Sequence, residues 1–342
     1  YLDATKLKDV DLIVELIGGS DGAAKKLVFN ALKNKKHVVT ANKALIAKYG
    51  DQLSRIAERN KVNLEFEASV CGGVPIIRSL KEGLIANKIS KIYGIFNGTS
   101  NYILSSMENE NKSFQEVLTK AKTLGYAESN PSADLNGDDV SSKLKILSSL
   151  CFNSVLNKDI YVEGIKDIDK TDIDNANKLG YKIKLLGFAE LLNNKIYQRV
   201  HPTLIKKNSY VASIDGVLNA VIVEGKPVGQ SIIQGEGAGP AATTSALVSD
   251  ISSILRGNIK FPFSISSKKR KKIRFEKIDN RAFSAYLRFE VIDKPGVLSN
   301  ITNIFSKNRV SIKRLVQNPD KNKKTSSIII VTHNSKDKYL KK

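Results

Sequence analysis

Three aspartates and two lysines lie in the stretch DLNGDDVSSKLKIL, residues 134–147. Val140 and Leu144 belong to an apolar stripe at helical spacing, so the stretch is predicted to be a helix with one face in the core. Lys143 lies on the shoulder of that stripe, four residues after Asp139. Such a pair is commonly an ordinary ion pair on a helix surface, which the spacing alone favours. It can also hold an ammonium that stabilises a developing oxyanion and donates a proton.

Glycine, amide and lysine residues follow two of the predicted strands. Gly18 and Gly19 end the apolar run VDLIVELIGG, and Asn42 with Lys43 follows HVVT. In open parallel sheets, ligands bind beyond the carboxyl ends of the strands, where glycines permit close backbone approach. Asn42 can hydrogen-bond an amide there, and Lys43 can meet phosphate or substrate charge. The residues alone leave the matter open, because strand ends carry Gly and Asn for ordinary turns as well.

The elements that must position these residues alternate between strands and helices over about the first 100 residues. Such alternation with short links predicts a parallel sheet, and KISKIYGIF is read as a further strand of this part. From about residue 150 to 265 the pattern changes. KIYQRVHPTLI and AVIVEGKPVG are typical of an antiparallel or mixed sheet. The C-terminal part runs strand, loop, helix, strand.

We therefore predict an α/β protein of several units. Residues 1–70 are expected to form a partial dinucleotide-binding domain, completed by part of 232–260. Residues 71–263 are expected to form a second, α+β unit, 264–280 a polar, basic linker, and 281–342 a small α+β module. A Rossmann domain should begin with a strand and G-x-G-x-x-G, and no such motif opens this chain. We expect its first strand, phosphate loop and first crossover to be absent, which leaves open whether this stretch is active by itself.

The chain carries a formal net charge of +21 on 342 residues. Its lysines are scattered, and only SSKKRKKIR, residues 266–274, is a dense cluster without interleaved aromatic residues. This pattern favours a lysine-rich surface over a single-strand nucleic-acid platform, although a basic field would help attract a phosphorylated dinucleotide. No apolar run reaches the length of a membrane span. Cys71 and Cys151 make no disulfide framework, so the cytoplasm is the expected compartment.

Six motifs, taken in their order along the chain, resemble those of homoserine dehydrogenase, the family that interconverts aspartate semialdehyde and homoserine. The resemblance covers about residues 10–260. The C-terminal VIDKPGVLSNITNIFSKNRVSI is similar to an ACT domain, a ferredoxin-like amino-acid-sensing module, here lacking its last helix and strand. The resemblance thus implies a Rossmann-like parallel sheet, an α+β substrate domain and an ACT domain. The six motifs are VDLIVELIGG, VVTANKALIA, FEASVCGGVPIIRSL, GIFNGTSNYIL, GYAESNPSADLNGDDVSSKLKIL and GEGAGPAATTSALVSDI.

The resemblance reverses the weighting at the opening stretch. Lys143 matches the catalytic lysine of the family, and Asp139 would orient it or hold the substrate through water. Lys43 matches a second lysine, near nicotinamide and substrate. A reactive lysine needs a depressed pKa or a water relay, and partial burial would supply the first.

Substrate and cofactor residues are implied in the same way. Glu128 matches the acid that binds the substrate's amino group, Gly125 lies in the same loop, and Asp134 matches another acid of that polar network. Carboxylates that face the ammonium of an amino-acid substrate make physical sense. NADP or NAD is the implied cofactor, and the loop around Gly237 and Gly239 would return to it. The full implied cofactor set is Gly18, Gly19, Asn42, Lys43, Gly237 and Gly239.

Two further ligands follow from the resemblance. In relatives the EASVCGGVP loop cradles a monovalent cation, usually sodium, largely with backbone oxygens. The matching positions are Glu67, Val70, Gly72 and Val74.

In ACT domains effectors bind near the loop that corresponds to DKPGVL, residues 293–298, at an interface between two copies. Threonine is the expected effector, although Asp293, Pro295 and Gly296 also make a good turn without any ligand.

The expected function is reversible NAD(P)H-dependent reduction of L-aspartate 4-semialdehyde to L-homoserine, in threonine, methionine and isoleucine biosynthesis. The chain should form a homodimer or homotetramer through the sheet of its middle region, with no nucleic acid and no membrane among its partners. One alternative is a Rossmann dehydrogenase acting on free aspartate. Another is a non-catalytic ACT-type sensor or a basic nucleic-acid binder. The sequence leaves open NAD versus NADP, the feedback behaviour, and whether an aspartate kinase precedes the chain.

Overall fold

The computed structural model describes residues 1–156, 160–258, 260–320 and 324–341, without the side chain of residue 320. Its first unit is a three-stranded parallel sheet in the order β1-β2-β3. Helices cross between successive strands, and their apolar stripes, such as Leu27 and Ala31 of the first helix, are fully or nearly fully buried. The elements are β1 Leu12–Glu15, α1 Ala23–Lys33, β2 His37–Thr40, α2 Lys43–Asn60, β3 Leu64–Glu65 and the short α3 Ile76–Arg78.

The middle unit is a seven-stranded mixed sheet in the order β10-β7-β6-β4-β8-β9, with β5 paired to β7. Three helices, α4, α7 and α8, pack on its central strands. Its strands are β4 Lys88–Ile95, β5 Tyr161–Val162, β6 Tyr181–Leu192, β7 Lys195–Lys206, β8 Leu218–Lys226, β9 Gly229–Glu236 and β10 Arg274–Phe275. Its helices are α4 Gly98–Asn109, α5 Phe114–Thr123, α6 Ser132–Asn136, α7 Asp138–Phe152, α8 Lys170–Lys178 and α9 Pro240–Leu255.

Strand β4 corrects one expectation. The strand–helix alternation predicts KISKIYGIF as a strand of the parallel sheet. In the structure this segment is β4, which pairs antiparallel with β6 and β8 in the middle unit. The strand itself is where the sequence indicates. Its partners lie about 100 residues downstream, so local alternation could not assign it to a sheet.

Helix α9 returns from the middle unit to the parallel sheet. Its apolar residues Leu247 and Ile254 pack with Val39 of β2, and Leu12 and Ala68 adjoin the same cluster. The chain therefore covers the parallel sheet with a helix that begins 200 residues after the end of β2, the strand that it contacts.

Helix α7 differs from the prediction in two respects. It begins at Asp138, because Gly137, with a φ of 86°, ends the separate short helix α6 that carries Asp134. It is also buried on nearly every side, since α2, β4, β6 and β7 surround it. Lys143, which is predicted on the shoulder of the apolar stripe, therefore has its side chain inside the protein.

Residues 264–280, predicted to be a polar linker, pack against the body of the protein. Arg270 is buried, and its Nη1 lies 2.6 Å from Oδ1 of Asp51 on α2. Lys271 bridges Ser154 through the backbone, and β10 pairs in parallel with β7. The composition of this segment predicted a polar linker, but Arg270 is buried and several of its neighbours are half-buried.

The C-terminal unit is a three-stranded antiparallel sheet in the order β12-β14-β13 with one helix, α10, packed on it through Phe305. The DKPGVL loop joins β12 to α10, as expected. Arg288 of β12 contacts Asp169 and Asp172 at the start of α8, which anchors this unit to the middle one. The elements are β11 Ala282–Phe283, β12 Tyr286–Ile292, α10 Val297–Lys307, β13 Ile312–Asp320, β14 Thr325–Thr332, β15 Ser335–Lys336 and α11 Asp337–Leu340.

In the described part of the chain, no helix combines the length and apolar character that crossing a membrane requires.

Candidate active site

One buried carboxylate holds two lysines at the junction of the parallel sheet and the middle unit. Oδ2 of Asp139 lies 2.8 Å from Nζ of Lys143, and Oδ1 lies 2.8 Å from Nζ of Lys43. The side chains of Asp139 and Lys143 are only 5% and 9% exposed, whereas that of Lys43 is 42% exposed. The structure thus brings the three predicted catalytic residues into one ion-pair cluster with a single open side.

The elements that hold this cluster come from three parts of the chain. Asp139 and Lys143 lie one turn apart on α7, and Lys43 is the first residue of α2, which packs against α7. The Lys143 ammonium also donates a hydrogen bond of 2.6 Å to the carbonyl of Phe96, just after β4. Lys143 is therefore fixed from two directions, which favours a single orientation of its amine.

The charges of the cluster support one another. Burial alone would raise the pKa of Asp139, but the charges of Lys143 and Lys43 outweigh it and hold this pKa well below its ordinary value. Burial alone would lower the pKa of Lys143, but the charge of Asp139 outweighs it, and this pKa lies above its ordinary value. Of the two alternatives that the sequence leaves open, a depressed lysine pKa and a water relay, the raised pKa of Lys143 argues against the first. The amine is kept as an ammonium, which suits a hydrogen-bond and proton donor.

Asn97 is a site residue that sequence reasoning missed. Its Nδ2 donates to Oδ1 of Asp134 at 2.7 Å and to Oδ2 of Asp139 at 2.9 Å, so it joins the two predicted acids. Its Oδ1 accepts from the backbone of Ser100 and caps α4. The pKa of Asp134 is raised, chiefly by burial. The sequence signal was an Asn before a helix, which is also the signal of a simple cap.

The predicted substrate loop lies beside this network without a contact to the lysines. Glu128 is exposed, and within the described residues it makes no hydrogen bond or ion pair. Gly125 ends α5 with a φ of 74° and has open space around it. Thr99, near the start of α4, donates a 2.6 Å hydrogen bond to the carbonyl of Tyr126, which ties the loop to the helix capped by Asn97. Glu128 is thus free to meet a ligand.

The ends of β1 and β2 form a second polar group. Asn42 donates to the carbonyl of Gly19 at 2.7 Å and caps α2 by accepting from its backbone. Glu15, which sequence reasoning missed, accepts from the amide of Gly18 and from the hydroxyl of Thr40 at 2.6 Å. Gly18 and Gly19 have φ values of 81° and 75° and no atom within 4 Å of an added Cβ. These contacts fix an open backbone turn at the carboxyl edge of the sheet.

The two predicted glycine-rich loops touch each other. The amide of Gly73 donates to the carbonyl of Glu236 at 2.9 Å, and a Cβ on Gly72 would lie 2.8 Å from the carbonyl of Gly237. Gly237 in turn rests on Asn219, whose amide would lie 2.2 Å from an added Cβ. The loops that were expected to serve a cation and the cofactor therefore form one surface, and glycine is needed where they meet.

Two buried polar residues belong to this region, Asn219 of β8 beneath the loops and Cys71 within EASVCGGVP. Asn219 is fully buried, and neither of its side-chain polar atoms has a hydrogen-bond partner in the part of the chain that the structure describes. Burial raises the pKa of the Cys71 thiol to about 11, although Lys143 opposes the shift, so the thiol stays protonated at neutral pH. Nothing in the sequence around Asn219 distinguished it from an ordinary strand residue.

Glu67 of the EASVCGGVP loop is a buried acid held by backbone amides. Its Oε1 accepts from the amide of Ile77 and its Oε2 from that of Arg78, at 2.8 and 2.7 Å. Burial raises its pKa to about 7 against those bonds, and nearby Asp250 adds to the rise. Among the described residues, no group of three or more His, Cys, Asp and Glu side chains could hold a metal ion. A cation at this loop would therefore take most of its ligands from backbone oxygens.

Comparison with known proteins gives a consistent result along the whole chain. The family model of homoserine dehydrogenase matches residues 75–252, that of the homoserine dehydrogenase NAD-binding domain matches 2–67, and that of the ACT domain matches 285–338. The homoserine dehydrogenase of Neisseria gonorrhoeae is 42% identical over 346 residues, which cover 98% of this chain and 78% of that protein. That of Bacillus subtilis is 38% identical over 335 residues, covering 96% of this chain and 76% of that protein.

Solved structures agree. A homoserine dehydrogenase from Thiobacillus denitrificans superposes with a TM-score of 0.91 at 40% identity, over 99% of this chain and 78% of that one. A hyperthermophilic archaeal homoserine dehydrogenase in complex with NADPH superposes with a TM-score of 0.66 at 26% identity, over 76% of each chain. The expected fold class is confirmed, with a parallel NAD-binding sheet, a catalytic domain and an ACT domain. The chain therefore belongs to the homoserine dehydrogenase family, the oxidoreductases that interconvert L-aspartate 4-semialdehyde and L-homoserine with a nicotinamide cofactor.

Proposed function

We propose that Lys143 stabilises and protonates the carbonyl oxygen of L-aspartate 4-semialdehyde during its reduction to L-homoserine. The observation that carries this proposal is the buried ammonium with two fixed acceptors, Asp139 and the Phe96 carbonyl. An ammonium has three N–H donors, and among the described residues only these two acceptors engage it. The third N–H is left for a substrate oxygen.

The bound nicotinamide supplies the hydride for C4 and takes it back in the reverse direction. As negative charge develops on the carbonyl oxygen, the Lys143 ammonium donates a hydrogen bond to it, and the oxygen takes a proton from the amine directly or through water. Solvent then restores the ammonium. Asp139 keeps Lys143 charged and oriented, and Asn97 in turn holds Asp139. Lys43, which is half-exposed, faces the open side of the cluster.

The test is Lys143→Ala, measured by nicotinamide absorbance with L-homoserine as substrate. We expect kcat to fall on the order of 10²- to 10⁴-fold, the range for loss of a positioned acid. Lys145→Ala is the matched control, because Lys145 lies on the same helix, is half-exposed and has no ion-pair partner among the described residues. Its kcat should remain near that of the parent. A Lys143→Ala enzyme as fast as the parent would exclude the proton-donor role.

We propose that Glu128 and Asp134 bind the ammonium of the amino-acid substrate, with Gly125 shaping the loop. Glu128 is exposed without a partner, and Asp134 is joined to Asp139 through Asn97. Glu128→Gln removes a charge that acts on the ground state and the transition state alike. We therefore expect KM for homoserine to rise about tenfold with little change in kcat. A change confined to kcat would argue against this role.

We propose that NADP or NAD lies across the edge formed by Gly18, Gly19, Asn42, Lys43 and the Gly237–Gly239 loop. The open φ angles there and the exposed apolar side chain of Ile17 support this placement. The NADPH complex of the archaeal relative favours NADPH as the first probe. Comparing kcat/KM for NADP and NAD gives the preference. Gly19→Val should lower the affinity for both cofactors. Gly257→Val, just after the C-terminal end of α9, is the control and should leave both affinities unchanged.

We propose that a sodium ion binds at Glu67, Val70, Gly72 and Val74. Val70 and Gly72 are buried, and their carbonyls accept no hydrogen bond from any residue that the structure describes, which is costly unless another donor or a cation meets them. The donor set of backbone oxygens fits a hard cation. The thermal midpoint should rise in NaCl relative to choline chloride at equal ionic strength. An identical midpoint in both salts would count against the site.

We propose that L-threonine binds at the DKPGVL loop of the ACT domain, around Asp293 and Gly296. The loop is exposed at the start of α10, and Gly296 has a φ of 90° that suits a close backbone approach. Calorimetric titration with L-threonine, and with L-alanine as the control ligand, measures this directly. Equal or absent heats for both amino acids would remove threonine as the effector.

We also propose the domain division 1–70, 71–263, 264–280 and 281–342, with a homodimer or homotetramer formed through the middle sheet. The edge strand β9 exposes the apolar side chain of Ile232, which is 37% exposed. Light scattering should give a multiple of the chain mass. Ile232→Glu should shift the protein toward monomer, and an unchanged mass would place the interface elsewhere.

A further inference from the structure

We propose that a basic cavity at the C-terminal end of α7 binds a small polyphosphate, apart from the catalytic cluster. The cavity has a volume of about 630 Å³ and lies between the start of β4, the end of α7 and residues 265–274. Its volume falls within the range typical of small-molecule sites, roughly 300 to 1,000 Å³. Five cationic side chains line it, namely Lys88, Lys269, Lys271, Lys272 and Arg274.

These cations have no counter-charge in the described part of the chain. None of the five forms an ion pair there, and no Asp or Glu lines the cavity. Like charges gathered around a concavity repel one another and focus a positive potential into it. An anion with several charges relieves that repulsion, so the cavity selects for multivalent anions over single carboxylates.

The basic cluster of the sequence is divided by the fold. Arg270, in the middle of SSKKRKKIR, turns inward to Asp51, whereas Lys269 and Lys271 on either side line the cavity. One cation of this segment therefore forms an internal ion pair, and its two neighbours line the same cavity. A solvated lysine-rich loop would not require this sorting.

Buried and partly buried apolar side chains form the floor of the cavity, and amide side chains also line it. Ile89, Phe152 and Leu191 supply the apolar surface, and Asn87 and Asn194 supply amide donors and acceptors. Phosphates suit the cations, because lysine and arginine both bind phosphate oxygens by charge-assisted hydrogen bonds. The apolar floor can also accept a ring, so the shared chemistry is that of inorganic polyphosphate and nucleoside polyphosphates.

The cavity is separate from the catalytic lysine. Cys151, in its wall, follows Lys143 by eight residues on α7, which corresponds to about 12 Å along the helix axis. The other wall, residues 265–274, is the connection that leads to the ACT domain. A ligand in the cavity therefore holds this connection against the catalytic domain.

The test is calorimetric titration of the whole chain with inorganic tripolyphosphate and with ATP, in the presence of saturating NADPH. We expect both probes to bind at one site per chain. The double variant Lys271→Glu/Arg274→Glu should weaken binding about tenfold or more, because two charge-assisted contacts become repulsive. The control is Lys6→Glu/Lys8→Glu, which makes the same change in net charge at two exposed lysines far from the cavity in sequence and should alter binding less than about twofold.

Each outcome decides the proposal. Tighter binding of ATP than of tripolyphosphate assigns the apolar floor to a nucleotide, and equal binding assigns the cavity to phosphates alone. If Lys271→Glu/Arg274→Glu fails to fold, the milder Lys271→Gln/Arg274→Gln takes its place. Absence of heat with both probes, or equal losses in the variant and the control, overturns the proposal. A duplex oligonucleotide that binds more tightly than either probe, with the same loss in the variant, replaces it with a nucleic-acid surface.

Discussion

The two ends of helix α7 treat positive charge in opposite ways. At its N-terminal end, Asp139 pairs with both the buried Lys143 and the half-exposed Lys43. At its C-terminal end, cations such as Lys271 gather around a cavity, exposed and without a carboxylate partner in the described residues. The difference follows from solvation, since a buried ammonium needs a counter-charge whereas an exposed one has water. Paired cations are therefore fixed parts of the fold, and unpaired ones are available to a ligand.

Other buried cations of the chain follow the same rule. Lys81 is paired with Glu65 at 2.7 Å, Lys184 with Asp215 at 2.7 Å, and Arg270 with Asp51 at 2.6 Å. Each partner lies 16 or more residues away in sequence. The pairing therefore records tertiary structure, and the contrast between the ends of α7 can be tested by removing charges one at a time.

The largest effect is expected at the paired end. Asp139→Asn leaves two lysines facing a neutral amide, one of them buried, and should destabilise the protein by about 3–5 kcal/mol. It should also abolish most activity, because Lys143 loses its orientation and its charge support. Urea unfolding measures the first effect, and nicotinamide absorbance the second.

Asp138→Asn is the matched control, since Asp138 is the preceding residue, is exposed and has no ion-pair partner among the residues described. Its effect on the free energy of unfolding should stay within about 0.5 kcal/mol. If Asp139→Asn proved as mild as Asp138→Asn, the cluster would not need its carboxylate, and the contrast between the two ends of α7 would collapse.

An intermediate effect is expected at a buried acid that has backbone amides in place of lysines. The pKa of Glu67 is raised to about 7 in the folded protein, above its ordinary 4.5, chiefly by burial. The folded state then binds more protons than the unfolded state between these values, so stability from this group is full at lower pH and is lost as pH rises toward about 7. The loss should be on the order of 3 kcal/mol.

Glu67→Gln should make the free energy of unfolding depend less on pH. Urea unfolding at low sodium, from about pH 5 to about pH 8, measures this, because the range brackets the raised pKa of Glu67. Asp250, whose pKa is raised to about 6, mainly by burial, contributes a remaining slope of the same sign. The exposed Glu236→Gln should leave the slope of the parent unchanged. A parent protein that grows more stable from pH 5 to pH 8 would contradict the raised pKa of Glu67.

The sequence predicts the local parts of this picture well. The strands and helices of the parallel sheet, the ACT-like segment and the Asp139–Lys143 spacing all depend on neighbours within a few residues. The pairing of Lys43 with Asp139 spans 96 positions, and the bonds from Asn97 to two acids cross between elements. Resemblance supplied Lys43, but nothing local distinguished Asn97 from a cap. Likewise, the linker composition of residues 264–280 could not reveal that Arg270 turns inward.

The smallest effect is expected at the unpaired end. Lys271→Gln removes a cation that has no partner in the described structure and stands near other cations. The free energy of unfolding should change by less than about 0.5 kcal/mol, and relief of like-charge repulsion favours a slight gain over a loss. Urea unfolding at low ionic strength, where screening is weakest, gives the clearest reading.

Arg270→Gln is the sharpest comparison, because Arg270 precedes Lys271 directly but is buried against Asp51. Loss of its charge strands a partly buried carboxylate and should cost several kcal/mol, about 3. Two adjacent residues of one basic cluster would then differ in stability effect by a wide margin, for the sole reason that the backbone turns one side chain inward and the next outward. Equal changes in the free energy of unfolding at both positions would mean that neither ion pairing nor burial separates the cations that stabilise the fold from those that are available to a ligand.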